Sequence, residues 1–144
     1  MSTELTITVR PLPVADEQSA PFWNAASTHV LALARCSRCA SFSHPPDLVC
    51  PNCHSTDPGF VFTPVSGRGT VRSWTVMHQS FLQGFDVPFV LVDVELVEQA
   101  DLRLIGRLFD GPDAPLGIGD AVTLAFEDVA AGISVPAFTL EGPR

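Results

Sequence analysis

The chain has 144 residues with eight arginines, no lysine and sixteen acidic side chains, a net charge of −8; this length holds one domain or two small modules. Without lysine, a Schiff-base mechanism and a P-loop phosphate contact are excluded within the chain. Charged residues make up only 17% of it, below the roughly 25% of an average soluble protein, so part of the folded surface is expected to be apolar, as in a subunit of an assembly.

Residues 1–18 contain Pro11 and Pro13 and no periodic apolar pattern, which reads as a flexible arm, free or draped on a partner. No run of about 18 apolar residues occurs. The opening Met-Ser-Thr-Glu-Leu-Thr also lacks the basic-then-apolar order of a secretory signal, so the expected location is cytoplasmic. Ser19 is placed to cap a short helix with Pro21 in its first turn, followed by Phe22, Trp23, Ala25 and Ala26. Phe22 and Ala26 share a face, and the pattern suits packing on the chain's own domain as well as docking on another. Residues 30–35 read as a strand leading to the first cysteine pair.

Cys36 and Cys39 are two residues apart, as are Cys50 and Cys53, with ten residues between the pairs. Each C-x2-C turn can aim two thiolates at one metal ion, so the array matches tetrahedral zinc with no open position, a structural site. Residues 34–66 hold few large apolar side chains, and a metal would supply the folding energy they lack. Two disulfides would need an oxidising compartment. Iron in a rubredoxin-like electron carrier suits Cys50-Pro51-Asn52-Cys53 equally, and spacing does not separate the two metals. His44 and His54 lie near the knuckles and read as solvated loop residues, since four cysteines complete the shell.

Beyond the second pair the pattern is strand. Residues 60–62 form a short apolar run, and Ser66-Gly67-Arg68-Gly69 reads as a turn. Residues 70–81 are rich in β-formers. Val90, Val92, Val94 and Leu96 alternate with Phe89, Leu91, Asp93 and Glu95, the period of a half-buried strand. Leu102, Leu104, Gly106 and Leu108 repeat it, Val122, Leu124 and Phe126 form a fourth run, and residues 135–140 a fifth. Five strands in about 75 residues fit a small barrel of the OB type.

The order Phe22-Trp23, Arg35-Cys36-Ser37-Arg38-Cys39, Pro45-Pro46, Cys50-Pro51-Asn52-Cys53, Ser66-Gly67-Arg68-Gly69-Thr70-Val71, Thr75-Val76-Met77-His78, Ile118-Gly119-Asp120 and Phe126-Glu127-Asp128 resembles the acyl-CoA-associated family that joins a rubredoxin-like zinc ribbon to an OB-fold. The resemblance spans roughly residues 20–140. With the pattern reading, the expected organisation is a mainly β chain: a flexible arm over 1–18, a short helix and zinc ribbon over 19–66, and a five-stranded OB-fold barrel over 67–144. The resemblance also implies a non-catalytic accessory subunit that binds a thiolase-superfamily enzyme, or sits beside an enoyl-CoA hydratase, in the breakdown of fatty or sterol side chains, with an acyl-CoA ligand shared with that partner. The family lends no catalytic residue set to this chain.

An OB barrel also raises single-strand nucleic-acid binding, which needs a basic groove with stacking aromatics. From residue 67 onward five arginines face eleven acidic residues, a balance of −6 that repels a phosphate backbone. Arg35, Arg38, Arg68 and Arg72 are the local basic patch that keeps this alternative in view, while Arg103 and Arg107 are expected to pair across strands with Asp93 and Glu95. His78 closes the first barrel strand, on the alternation face of Arg72, Trp74 and Val76, ahead of a loop with Phe81, Leu82 and Phe85. Such a setting suits a pantetheine arm and its phosphates or a partner surface; the alternative is a core histidine beside a core Trp74. Arg72, His78, Phe81 and Phe85 are thus the candidate acyl-CoA or partner contacts, and Met77 is expected to fill core.

Overall fold

The computed structural model describes residues 10–141. The expected arm falls partly outside them, over residues 1–9. Helix α1 (Ala20–Ala26) carries Pro21 in its first turn, where a missing N–H costs nothing. Ser19 precedes it, but its hydroxyl does not cap the helix. That oxygen accepts the Asp16 N–H at 3.0 Å, while the Asp16 carboxylate accepts the Ser19 N–H at 2.7 Å. The reciprocal pair closes the turn before the helix, whose first donors go instead to backbone carbonyls, Ala20 N–H to Asp16 at 2.8 Å and Trp23 N–H to Ser19 at 3.1 Å. Phe22 and Ala26 form its buried face, and the helix packs on this chain's β1 and β8.

Strand β1 (Ala32–Arg35) is the centre of a three-stranded antiparallel sheet, flanked by β2 (Phe42–Ser43) and β3 (Val61–Pro64). Ala32, Leu33 and Ala34 are all buried, small residues alternating with one large one where α1 presses on the sheet.

The remaining strands, β4 (Arg68–Met77), β5 (Phe89–Leu96), β6 (Arg103–Leu108), β7 (Ala121–Ala130) and β8 (Ile133–Leu140), close a barrel in the order β4-β5-β6-β8-β7. The β6 to β8 pairing is parallel and the others antiparallel, giving the expected five-stranded OB-like barrel behind a short helix and a ribbon. The alternation read in β5 is observed: Val90, Val92, Val94 and Leu96 are buried, and the residues between them half-buried. Phe138 fills the centre, fully buried. A Cβ on Gly106 would come within 3.0 Å of its ring, so the one gap in the apolar alternation of β6 is the space that the ring takes.

Strand β4 departs from its reading. It ends at Met77 rather than near Phe81, and its register against β5 shifts between Val71 and Ser73. This bulge adds one residue, so Trp74 and Val76 stand opposite the inward Val92 and Val90, while Arg72 turns away from them. Arg72, Trp74 and Val76 therefore do not share a face. β4 pairs with β7 only from Arg68 to Thr70. The expected charge pairing is half observed: Arg103 reaches Asp93, but Arg107 bonds Glu127 on β7 at 3.2 Å.

Candidate functional site

The two C-x2-C turns are copies of one backbone device. In the first, the Ala40 N–H donates to the Cys36 carbonyl at 2.9 Å and the Arg38 N–H points at the Cys36 sulfur at 3.3 Å. In the second, His54 N–H donates to the Cys50 carbonyl at 2.9 Å and Asn52 N–H points at the Cys50 sulfur at 3.4 Å. The residue after each pair takes a positive φ, 66° at Ala40 and 63° at His54, which turns the chain back sharply enough for both sulfurs to face inward.

All four sulfurs lie within 4.8 Å of one another. Cys36 Sγ is 3.8 Å from Cys53 Sγ, and Cys39 Sγ is 3.7 Å from Cys50 Sγ. A tetrahedron of sulfurs at about 2.3 Å from a central zinc has edges of about 3.8 Å, so the residues present fit the ion. None of the cysteines is in a disulfide. The thiols also hold their protons unequally. Hydrogen bonds from Ser41 pull Cys39 down to about 6. At Cys53 the Ser55 backbone pulls downward, but desolvation and the three neighbouring sulfurs outweigh it and leave the thiol raised to about 11. Ionising Cys53 at neutral pH takes a cation beside it.

The other candidate residues do not converge on a site. Arg72 gives its guanidinium to Glu95 at 3.0 Å. The Asp101 backbone N–H and that guanidinium hold the Glu95 carboxyl below its usual value. His78 is exposed one residue past β4 and is not a core histidine; Trp74 remains 40% exposed. In the β4–β5 loop, Phe81 is 91% exposed and Leu82 58% exposed, whereas Phe85 is half-buried and stacks on Phe89 at 5.9 Å.

Two family models match along the chain: the rubredoxin-like zinc ribbon domain of ChsH2 over residues 23–59, and the C-terminal OB-fold domain of ChsH2 over residues 62–127. The solved chain titled "Ltp2-ChsH2(DUF35) aldolase" superposes with a TM-score of 0.77 at 30% identity, covering 89% of this chain and 98% of that one. The chain belongs to the ChsH2 family of zinc-ribbon and OB-fold DUF35 proteins. The ribbon of this family is a zinc ribbon, which favours structural zinc over iron in the four-sulfur site.

Among curated relatives, a probable enoyl-CoA hydratase alpha subunit of Thermomonospora curvata is 32% identical over 136 residues, 94% of this chain and 41% of that protein. The 3-oxo-4,17-pregnadiene-20-carboxyl-CoA hydratase alpha subunit of Mycobacterium tuberculosis is 34% identical over 116 residues, 81% of this chain and 36% of that protein. The chain thus spans about two fifths of the curated relatives it matches. A DUF35 protein of unknown function from Sulfolobus solfataricus shares the fold, with a TM-score of 0.58 at 11% identity over 88% of this chain and 87% of that one.

Two histidines in this ChsH2-type chain escape the sequence reading. His44 is not a solvated loop residue: it stacks on Phe22 at 5.4 Å, its Nδ1 is buried without a partner, and burial pushes its pKa below 6.5. His29, at a φ of 61°, stacks on Phe126 and contacts the Asp128 carboxylate at 2.7 Å, tying the end of α1 to β7. The Ser134 hydroxyl donates to the same Asp128 oxygen at 2.6 Å, and these two contacts, Ser134 first, hold that carboxyl below its usual value. A local signal for either is absent, since both partners are distant in sequence. The basic patch is also largely committed. Arg35 donates to the Ala40 carbonyl, and Arg38 and Arg72 pair with Asp57 and Glu95. No helix among the described residues is long and apolar enough to cross a membrane.

Proposed function

We propose that the chain is a non-catalytic accessory subunit that binds a thiolase-like enzyme and acts with it on an acyl-CoA thioester, of the fatty or sterol side-chain class. The observation that carries this reading is the match to nearly the full length of the ChsH2(DUF35) chain of the solved Ltp2-ChsH2(DUF35) aldolase. The chain's own chemistry agrees. Among the described residues, the one group of side chains placed to hold a metal ion is the four cysteines, and a closed zinc shell leaves none of these thiols free as a nucleophile. The exposed Phe81 and Leu82 supply apolar surface for a partner. The partner then holds the catalytic group, and Arg72, His78, Phe81 and Phe85 are the candidate contacts with it or with the CoA ester.

The test is co-expression with an Ltp2-type thiolase from the same genome, then size exclusion and an acyl-CoA cleavage assay. The expected result is one hetero-oligomer, two copies of this chain on an enzyme dimer, with an interface above about 2,000 Å². His78→Ala should reduce the activity of the complex and leave the melting temperature of the lone chain unchanged. Separate elution at micromolar concentration, with the enzyme equally soluble and active alone, overturns the reading. The two hydratase alpha subunits among the relatives favour a second reading, the same accessory role beside an enoyl-CoA hydratase. Activity with an α,β-unsaturated acyl-CoA in place of cleavage would select it.

A further inference from the structure

The β4–β5 loop, residues 78–88, leaves Phe81 and Leu82 exposed, yet it is fastened at one point by a segment far away in sequence. Arg10 is that fastener. Its guanidinium donates to the Glu127 carboxylate at 2.9 Å and lies over the Phe85 ring, 4.8 Å from the centroid. Arg107 approaches both oxygens of the same carboxylate at 3.2 Å and lies over Phe109 at 4.9 Å. One carboxylate on β7 thus holds two guanidinium groups, each backed by an aromatic face. The backbone fits as closely: Gly84 takes a φ of 88°, and a Cβ there would fall 2.5–2.7 Å from Arg10's Cβ, N and Cα. Only a glycine lets the two chains lie this near. Downstream of Arg10, Leu12 and Pro13 are half-buried, and Pro13 and Ala15 line a cleft with Trp23 and Ile133 that leads to α1.

We infer that residues 10–15 are a strap across the barrel, and that Arg10 is a positioning residue that clamps the β4–β5 loop through Phe85 and so fixes the shape in which Phe81 and Leu82 are presented. The strap is a property of the lone chain and holds whichever enzyme, if any, docks on that loop. The sequence alone suggests an arm, free or draped on a partner, over residues 1–18; on this inference residues 10–15 of it work on the chain's own barrel.

Backbone 15N relaxation on the zinc-loaded full chain tests it. In the native chain residues 83–87 should show order parameters near those of rigid backbone, about 0.85, and Arg10→Ala should drop them below about 0.6 while the strands of the barrel and the ribbon keep theirs. Gly84→Ala should produce the same release from the opposite side of the contact. If Arg10 acts through Phe85, Arg10→Ala adds nothing once Phe85→Ala is present, a non-additivity that a general loss of stability would not give. The proposal is overturned by unchanged order in 83–87 in Arg10→Ala, or by an equal loss of order throughout the barrel. Full additivity of Arg10→Ala and Phe85→Ala overturns the route through the ring.

Discussion

The four cysteines declare themselves by spacing because each knuckle is a local turn, and the structure brings their sulfurs to within 4.8 Å. His44 lies between the two pairs, and nothing in that stretch shows that Phe22 will stack on it. Its burial has a consequence for stability against pH. The imidazole's folded pKa is depressed below 6.5, so the native state prefers it neutral. As pH falls below that value the unfolded chain takes up the proton first, and stability declines until the folded pKa is passed. The zinc-loaded native chain is therefore expected to lose melting temperature more steeply between pH 7 and pH 5.5 than a zinc-loaded His44→Gln variant, about the ordinary titration range of histidine. Thermal melts of the two proteins across this range check it; parallel slopes would mean that the stack on Phe22 tolerates the charged ring.

Elements were legible where one face meets the core along the whole strand. β5 shows this in its strict alternation, because both of its neighbours hold it flat against the barrel interior. β4 was read only in part, since one bulge residue inverts every face assignment after it and a bulge leaves no periodic mark. Gly106 keeps its place in the alternation of β6 without a side chain, and the reason lies on another strand: the Phe138 ring and the Pro136 carbonyl oxygen both stand 3.0 Å from where a Cβ would go. Adding a side chain should therefore do harm. Gly106→Ala is expected to destabilise the barrel by about 1–3 kcal/mol through overpacking, with Phe138→Leu in the same chain recovering part of the loss. Urea unfolding of the single and double variants measures both; a stabilised Gly106→Ala would show that Phe138 has room to shift.

At the scale of the whole molecule, charge and packing decide different questions. The −6 balance from residue 67 onward, with three of the four arginines of the basic patch already paired or bonded, predicts no tight single-strand binding. A fluorescence titration with single-stranded DNA and RNA at physiological salt should give only weak, non-specific affinity, and submicromolar binding that falls steeply with salt would contradict this. Packing joins ribbon, helix and barrel. Phe22, Leu31, Leu33 and Phe42 belong to the same buried cluster as Val92, Leu104 and Phe138. Gln99, in the turn between β5 and β6, gives its amide to the Phe42 carbonyl at 2.9 Å and accepts the Phe42 N–H at 2.8 Å, standing in as one more strand partner for β2. Yet the two modules lean on this seam unequally. The barrel closes on itself and has its own centre in Val71, Val92, Val94 and Phe138. The ribbon has a three-stranded sheet and a long knuckle segment whose Leu48 and Val49 are exposed, so its order depends on the metal. Structural zinc contributes an apparent folding energy of about 10 to 16 kcal/mol in such small modules. Elemental analysis of fresh protein is expected to find one zinc per chain. Chelation, or Cys36→Ser or Cys53→Ser, should then collapse the NMR signals of residues 36–59 while the barrel strands keep theirs, at a lower melting temperature because Phe22 and Phe42 no longer cover the outer wall. An iron spectrum, or a metal-free chain that keeps a folded ribbon and its full melting temperature, would show that the four sulfurs do not hold the ribbon together through zinc.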